Sequence, residues 1–162
     1  MQIEGLLELH QGRVKPEWID YNGHMNVAYY VLAFDHATDA LLDALGMGER
    51  YRNEHEASVF TAEAHVTYER ELKLGDRIRF ETQLLGYDAK RVHYFHTMYH
   101  GVEGFLAATN ELMILHVDMA ARKVAPMPEF ALNRLEQIDR VHRRLARPPQ
   151  VGRVMGFHKS KS

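Results

Sequence analysis

The chain of 162 residues contains no cysteine. Disulfides, thiolate-bound zinc and a cysteine nucleophile are therefore excluded. Charge of one sign is also missing: the formal net charge is -2, which gives no electrostatic footprint for nucleic acid or an anionic membrane surface. The longest apolar run, Val27 to Phe34, falls well short of the ~20 residues that span a bilayer. The first residues, Met1-Gln-Ile-Glu-Gly, lack the basic and apolar regions of a secretory signal. Together these absences lead to the expectation of a soluble, cytoplasmic protein. Gly-rich phosphate loops, a Gly-x-Ser-x-Gly elbow and dinucleotide fingerprints do not occur either.

What is present is a chain that is 46% hydrophobic, enough for one compact domain with a real core. Leu6 to Ile19 reads as extended, with Pro16 arguing against helix. After the Asn22-Gly23 turn, Val27, Tyr30, Val31, Phe34, Ala37, Leu41, Leu42 and Leu45 recur at three- and four-residue steps. That spacing predicts a long, largely buried helix, with Asn26 as N-cap and Gly46 just past its end. Met47 to Glu56 reads as a charged loop with a short turn. The period then becomes two: Phe60, Ala62, Ala64, Val66 and Tyr68 alternate with Val59, Thr61, Glu63, His65 and Thr67. Further strands follow around Ile78 to Leu84, Lys90 to Tyr99 and Phe105 to Val117, separated by turns at Gly75-Asp76, Gly86 to Asp88 and His100 to Gly104. Glu129 to Leu145 has the pattern of an amphipathic helix whose apolar face carries Phe130, Leu132, Leu135, Ile138, Val141 and Leu145. Residues 1–146 thus form one domain, and 147–162, with Pro148-Pro149 and a Lys-Ser-Lys-Ser end, read as a flexible tail. The fold class is α+β, an antiparallel sheet wrapped around one buried helix, and its uncovered face and edges call for a second copy.

Chemistry concentrates just ahead of the long helix. Asp20, Asn22, His24 and Asn26 crowd one turn, and a helix N-terminus offers unpaired N–H groups and partial positive charge suited to a developing oxyanion. The run Asp20-Tyr-Asn-Gly-His-Met-Asn-Val-Ala-Tyr-Tyr resembles the Asp-x-x-Gly-His-x-Asn-x-x-x-Tyr signature of hotdog-fold acyl-CoA thioesterases of the 4-hydroxybenzoyl-CoA thioesterase class. Val66-Thr-Tyr68 followed by Gly75-Asp76 extends the match. The stretches Phe60 to Tyr68, Leu84 to His96 and Ala108 to Asp118 look closer still to the branch linked to carnitine breakdown, which releases glycine betaine from betainyl-CoA. The resemblance implies a hotdog fold, homodimers or dimers of dimers sharing a continuous sheet, an acyl-CoA substrate and no cofactor beyond the coenzyme A of that substrate. It also implies that Asp20 attacks the thioester or activates water, and that the main-chain amide near Val27 holds the oxyanion. One departure stands out: many relatives carry two consecutive Asn after the His-x pair, whereas here Asn26 is followed by Val27.

Each candidate also has a plainer reading. Asp20 is equally suited to stabilising the turn through Asn22-Gly23. His24 orients substrate or holds the loop, and Asn26 caps the helix or touches substrate. Glu63, beside Thr61 and His65 on a polar stripe, contacts substrate or the catalytic water, or faces solvent. Trp18 and Tyr30 offer aromatic faces for a cationic acyl group, against a packing role. Lys90 and Arg91 are candidates for the phosphates of CoA, or exposed turn charges. Metal is excluded despite eleven histidines, because His93 and His96 point to opposite faces of a strand. Two rival functions remain open: a hydratase or dehydratase using His24 with Glu63, and a non-catalytic acyl-CoA-binding protein.

Overall fold

A computed structural model describes residues 2–157; the last residues of the tail expected from the sequence lie outside them. The elements run β1 (Gln11–Arg13), a 3-10 turn (Pro16–Trp18), α1 (Val27–Leu45), α2 (Glu49–His55), β2 (Ala57–Tyr68), β3 (Arg77–Tyr87), β4 (Arg91–His100), β5 (Leu106–Asp118), β6 (Lys123–Val124) and α3 (Glu129–His142). The main strands form one antiparallel sheet in the order β1-β3-β4-β5-β2, and β6 pairs with the end of β5. The sheet curls around α1, the hotdog architecture that the resemblance implied.

Helix α1 begins where Asn26 accepts the Ala28 N–H and ends where Gly46 turns left-handed at φ 78°. Its inner stripe divides the core in two. Leu41, Leu42 and Leu45 pack with Leu84, Tyr94, Ile114 and the α3 residues Leu135 and Ile138. Tyr30, Ala33, Phe34 and Ala37 pack with Trp18, Ile78, Phe80 and Met98. Each of the larger side chains contributes about 1.5–3 kcal/mol by leaving water. One sheet covers only one side of a helix, so α1 is less buried than its apolar content predicts: Val27, Val31 and Leu32 stay exposed. Gly46 is not replaceable at no cost. An added Cβ would need a backbone conformation that L residues disfavour and would meet the Phe130 ring at 2.9 Å. Gly46→Ala is expected to lose about 1–2 kcal/mol, read as a lower urea midpoint at unchanged slope.

Several local expectations are corrected. Pro16 opens a 3-10 turn rather than extended chain, since proline suits a first helical position. The charged segment after Met47 holds a two-turn helix, α2, anchored by Tyr51 and carrying an Arg50–Glu54 pair one turn apart. The buried side of α3 is Ala131, Leu135, Ile138 and His142, not one led by the half-exposed Phe130. His142 belongs there because its ring nitrogens bond the Leu84 N–H and the Gly5 carbonyl.

The largest correction concerns β2. Its pairing with β5 shifts between Thr61 and Glu63, leaving Ala62 as an extra residue. Thr61 lies opposite Ile114, and Ala64 opposite the core residue Leu112, so both face α1. Glu63 lies opposite Met113 and His65 opposite Glu111, on the outer face. The bulge therefore splits the polar stripe read from the sequence and sends Phe60 to the face opposite Ala64. The outer face is covered in part by the chain after α3: the Arg147 guanidinium donates to the Leu85 carbonyl and the Gly152 N–H to Glu111 Oε1.

Candidate active site

The loop ahead of α1 is built by short-range bonds. Asp20 N–H donates to the His24 carbonyl, Gly23 N–H to the Asp20 carbonyl, and Asn22 N–H to Asp20 Oδ1 at 2.8 Å. Gly23 closes the bend at φ 80°, a conformation that glycine adopts without strain. The loop is then fastened to the fold: Asn26 N–H donates to the Trp18 carbonyl and Met25 N–H to the Leu72 carbonyl. Asp20 thus holds one of its carboxylate oxygens in the turn. The other, Oδ2, takes no part in that bond.

Asp20, His24, Asn26, Val27 and Tyr30 line one cleft of about 380 Å³ with Tyr68, Glu69, Arg70 and Glu71. A helix leaves its first N–H groups without intrahelical partners. Asn26 Oδ1 takes the Ala28 N–H, so the Val27 N–H is the donor left at the mouth of the cleft. The Tyr68 hydroxyl donates to the Val27 carbonyl at 3.1 Å and fixes the first turn of α1 against the end of β2. The Tyr30 ring meets Tyr68 edge-on, and its hydroxyl accepts the Leu72 N–H. Burial pushes the Tyr30 phenol above its ordinary value, so it stays a neutral group at physiological pH. His24 Nε2 lies 3.2 Å from Glu71 Oε2. A carboxylate, an amide at a helix tip and neutral aromatic walls are thus in one concavity. That set can present a base or nucleophile to a carbonyl carbon and a donor to its oxygen.

The other residues singled out from the sequence lie elsewhere in this chain. Trp18 is buried beneath the loop, stacked on Tyr29 at 6.0 Å with the Lys15 ammonium 5.5 Å from its ring centre, so its faces are filled from within. Thr61 lines a separate hollow between α1 and β2, beside Asp35 and Asp39. Glu63 and His65 line another on the outer face, where His93 Nε2 and Glu111 Oε2 are 2.7 Å apart. Lys90 and Arg91 sit in the β3–β4 hairpin, where Asp88 accepts both of their backbone N–H groups and pairs with the Arg91 guanidinium at 2.6 Å. Missing from the sequence reading were Tyr68, taken as part of an apolar strand face, and Glu69, Arg70 and Glu71. The last three lie in an aperiodic connection and reach the cleft through the Met25–Leu72 bond.

Comparison with known proteins fits this geometry. The profile of the thioesterase-like superfamily matches residues 14–135. A betainyl-CoA thioesterase of Pseudomonas aeruginosa is 41% identical over 152 residues, covering 94% of this chain and 96% of the relative. An L-carnitine dehydrogenase/betainyl-CoA thioesterase of Rhizobium meliloti is 36% identical over 156 residues; the match covers 96% of this chain and 31% of that longer protein. Among solved structures, a hypothetical protein of Staphylococcus aureus in complex with CoA superposes with a TM-score of 0.88 at 28% identity, covering 98% of this chain and all of that one (100%).

Proposed function

This chain belongs to the thioesterase-like superfamily and is a thioester hydrolase, and we propose that its substrate is betainyl-CoA, cleaved to glycine betaine and CoA. The observation that carries the reading is the near full-length identity to the Pseudomonas aeruginosa betainyl-CoA thioesterase. The cleft chemistry agrees with it. The exposed Tyr68 ring, with the buried Tyr30 packed edge-on against it, offers an aromatic surface, and Asp20, Glu69 and Glu71 offer negative charge, to a trimethylammonium group. In the proposed reaction the Val27 N–H polarises the thioester carbonyl. Asp20 then attacks the carbonyl carbon, or takes a proton from a water that does. The C–S bond breaks, CoA leaves as the thiol, and water supplies the second carboxylate oxygen of the product.

The proposed enzyme is a homodimer joined along β2. That strand is long, stands at the sheet edge and exposes Phe60, with Val27, Val31 and Leu32 of α1 also uncovered. Pairing of two such edges would complete a continuous sheet and bring further residues toward each cleft.

The test is a free-thiol assay on a panel of acyl-CoA esters that includes 3,3-dimethylbutyryl-CoA, the neutral isostere of betainyl-CoA. A carboxylate and aromatic site should favour the cation by roughly tenfold or more in kcat/KM. Equal turnover of the two would leave the thioesterase activity standing and remove betaine as the group recognised.

A further inference from the structure

The N–H that would hold the oxyanion belongs to a helix tip with little packed around it. In the first turn of α1 Tyr30 is buried, whereas Val27 and Ala28 are exposed. Hydrogen bonds must therefore fix the tip, and two peptide units decide where the Val27 N–H points. In its own unit, the Asn26 carbonyl accepts the Tyr29 N–H at 3.0 Å. In the next unit, Asn26 Oδ1 accepts the Ala28 N–H at 3.0 Å, and the Val27 carbonyl accepts the Tyr68 hydroxyl at 3.1 Å. We propose that Tyr68 is a positioning residue for thioester cleavage: its hydroxyl holds the helix tip so that the Val27 N–H stays aimed at the carbonyl oxygen, while its ring remains a surface for the acyl group. The inference rests on the thioesterase reading with Val27 as the donor.

Three observations support it. The first is reach. The bonds made by Asn26 join near neighbours in the chain and move with the loop, whereas the Tyr68 hydroxyl reaches across 41 residues. Among the described residues, no other hydrogen bond joins a strand to residues 27–30. The second is a firm anchor. Tyr68 closes β2 in register with Ala108, and the Glu69 and Arg70 N–H groups just beyond it both donate to the Ala107 carbonyl, which keeps the strand end from fraying. Glu69, Arg70 and Glu71 then run between the cleft and a larger adjoining hollow of about 890 Å³. The Tyr30 ring braces Tyr68 edge-on at 5.2 Å, and the Leu72 N–H in turn holds the Tyr30 hydroxyl. The third is the small stake that folding has in the bond. Tyr68 is 48% exposed, and a hydroxyl that can reach water gains little stability by bonding a backbone carbonyl instead. Its effect should then be felt in the rate, through the donor that it orients. Burial of part of the ring holds the Tyr68 phenol above its ordinary value, so it keeps the proton it donates through neutral pH. A carbonyl oxygen has two lone pairs, so Val27 can accept Tyr68 and still accept the helical N–H four residues on.

Tyr68→Phe removes the hydroxyl and keeps the ring. Thiol release in a single turnover, with enzyme in excess over betainyl-CoA or 3,3-dimethylbutyryl-CoA, separates rate from binding. The maximal rate should fall roughly three- to tenfold on each ester, as expected for one lost hydrogen bond that matters in the transition state. The enzyme concentration at half-maximal rate, the ratio between the two esters and the melting temperature should all stay near wild type. Tyr51→Phe is the control. It deletes a buried hydroxyl that bonds His116 Nε2 at 2.9 Å in the other half of the core, and it should lower the melting temperature by several degrees at unchanged rate. The proposal is overturned if Tyr68→Phe keeps the wild-type rate, if it weakens saturation rather than rate, or if Tyr51→Phe slows cleavage as much. A wild-type enzyme that treats the two esters alike would refute betaine as the group recognised and leave the comparison of rates on each ester intact.

Discussion

Replacing Asp20 with asparagine should leave the protein folded and remove most of its turnover. Asparagine keeps a side-chain oxygen at the position that accepts the Asn22 N–H, so the bend through Gly23 survives. What disappears is the negative charge, and with it both the capacity to attack a carbonyl and the capacity to take a proton from water. A positioned acid–base group contributes about 10²- to 10⁴-fold, and kcat on a good acyl-CoA should fall by that order, with KM much less affected. Asp20→Ala would conflate two effects, because it also removes the turn acceptor. The decisive pairing is therefore kcat beside a thermal melt for Asp20→Asn. A melting temperature near wild type with near-wild-type kcat would assign Asp20 to the turn alone and move the catalytic carboxylate elsewhere, with Glu69 and Glu71 next in the same cleft.

Acid should unfold this protein through its buried imidazoles. His96 is fully buried between Thr38 and Thr82, whose hydroxyls lie 3.0 Å and 2.8 Å from its two ring nitrogens. Phe34 stacks on it, and Tyr94 shares the Thr38 hydroxyl. Burial pushes its pKa down to about 3, with the His10 charge acting the same way. The unfolded chain takes up a proton on this side chain near pH 6.5, which the folded chain refuses until about pH 3. In that window the unfolded state binds more protons, so stability is complete above pH 6.5 and falls with acid by up to about 1.4 kcal/mol per pH unit. His142 is lowered by burial as well and adds in the same direction. Urea midpoints measured between pH 5 and 7 should fall more steeply for wild type than for His96→Gln, which retains polar atoms but cannot titrate. Parallel slopes would show that another group controls acid unfolding. The range above pH 5 is the useful one, because ordinary carboxylates join in below it.

Legibility differed from residue to residue for identifiable reasons. Helix α1 and its two ends could be read directly, since a 3.6-residue apolar period, an Asn cap and a left-handed Gly are all local properties. The four long strands were legible from period-two runs and turn residues, to within a residue or two at most ends. Helix α2 escaped because a charged segment with a single apolar anchor carries no period. The side chains of β2 escaped because one extra residue at Ala62 reverses every assignment before it, and a bulge leaves no mark in the pattern. His142 escaped because a histidine on a helix reads as polar until a strand amide and a distant carbonyl are found at its two nitrogens.

The candidate site divides along the same line. Asp20, His24, Asn26, Val27 and Tyr30 lie within eleven residues of one another, and a tight bend running into a helix brings such neighbours together whatever the rest of the chain does. The sequence by itself therefore determined the α+β class, the central helix and the loop half of the cleft. The opposing wall of Tyr68, Glu69, Arg70 and Glu71, the hollow beyond it, and the removal of Glu63 and His65 to the outer face were decided only by tertiary structure. Those arrangements depend on strand register and on hydrogen bonds between segments some forty residues apart, such as Leu72 N–H to the Tyr30 hydroxyl, and no local pattern encodes a partner at that distance.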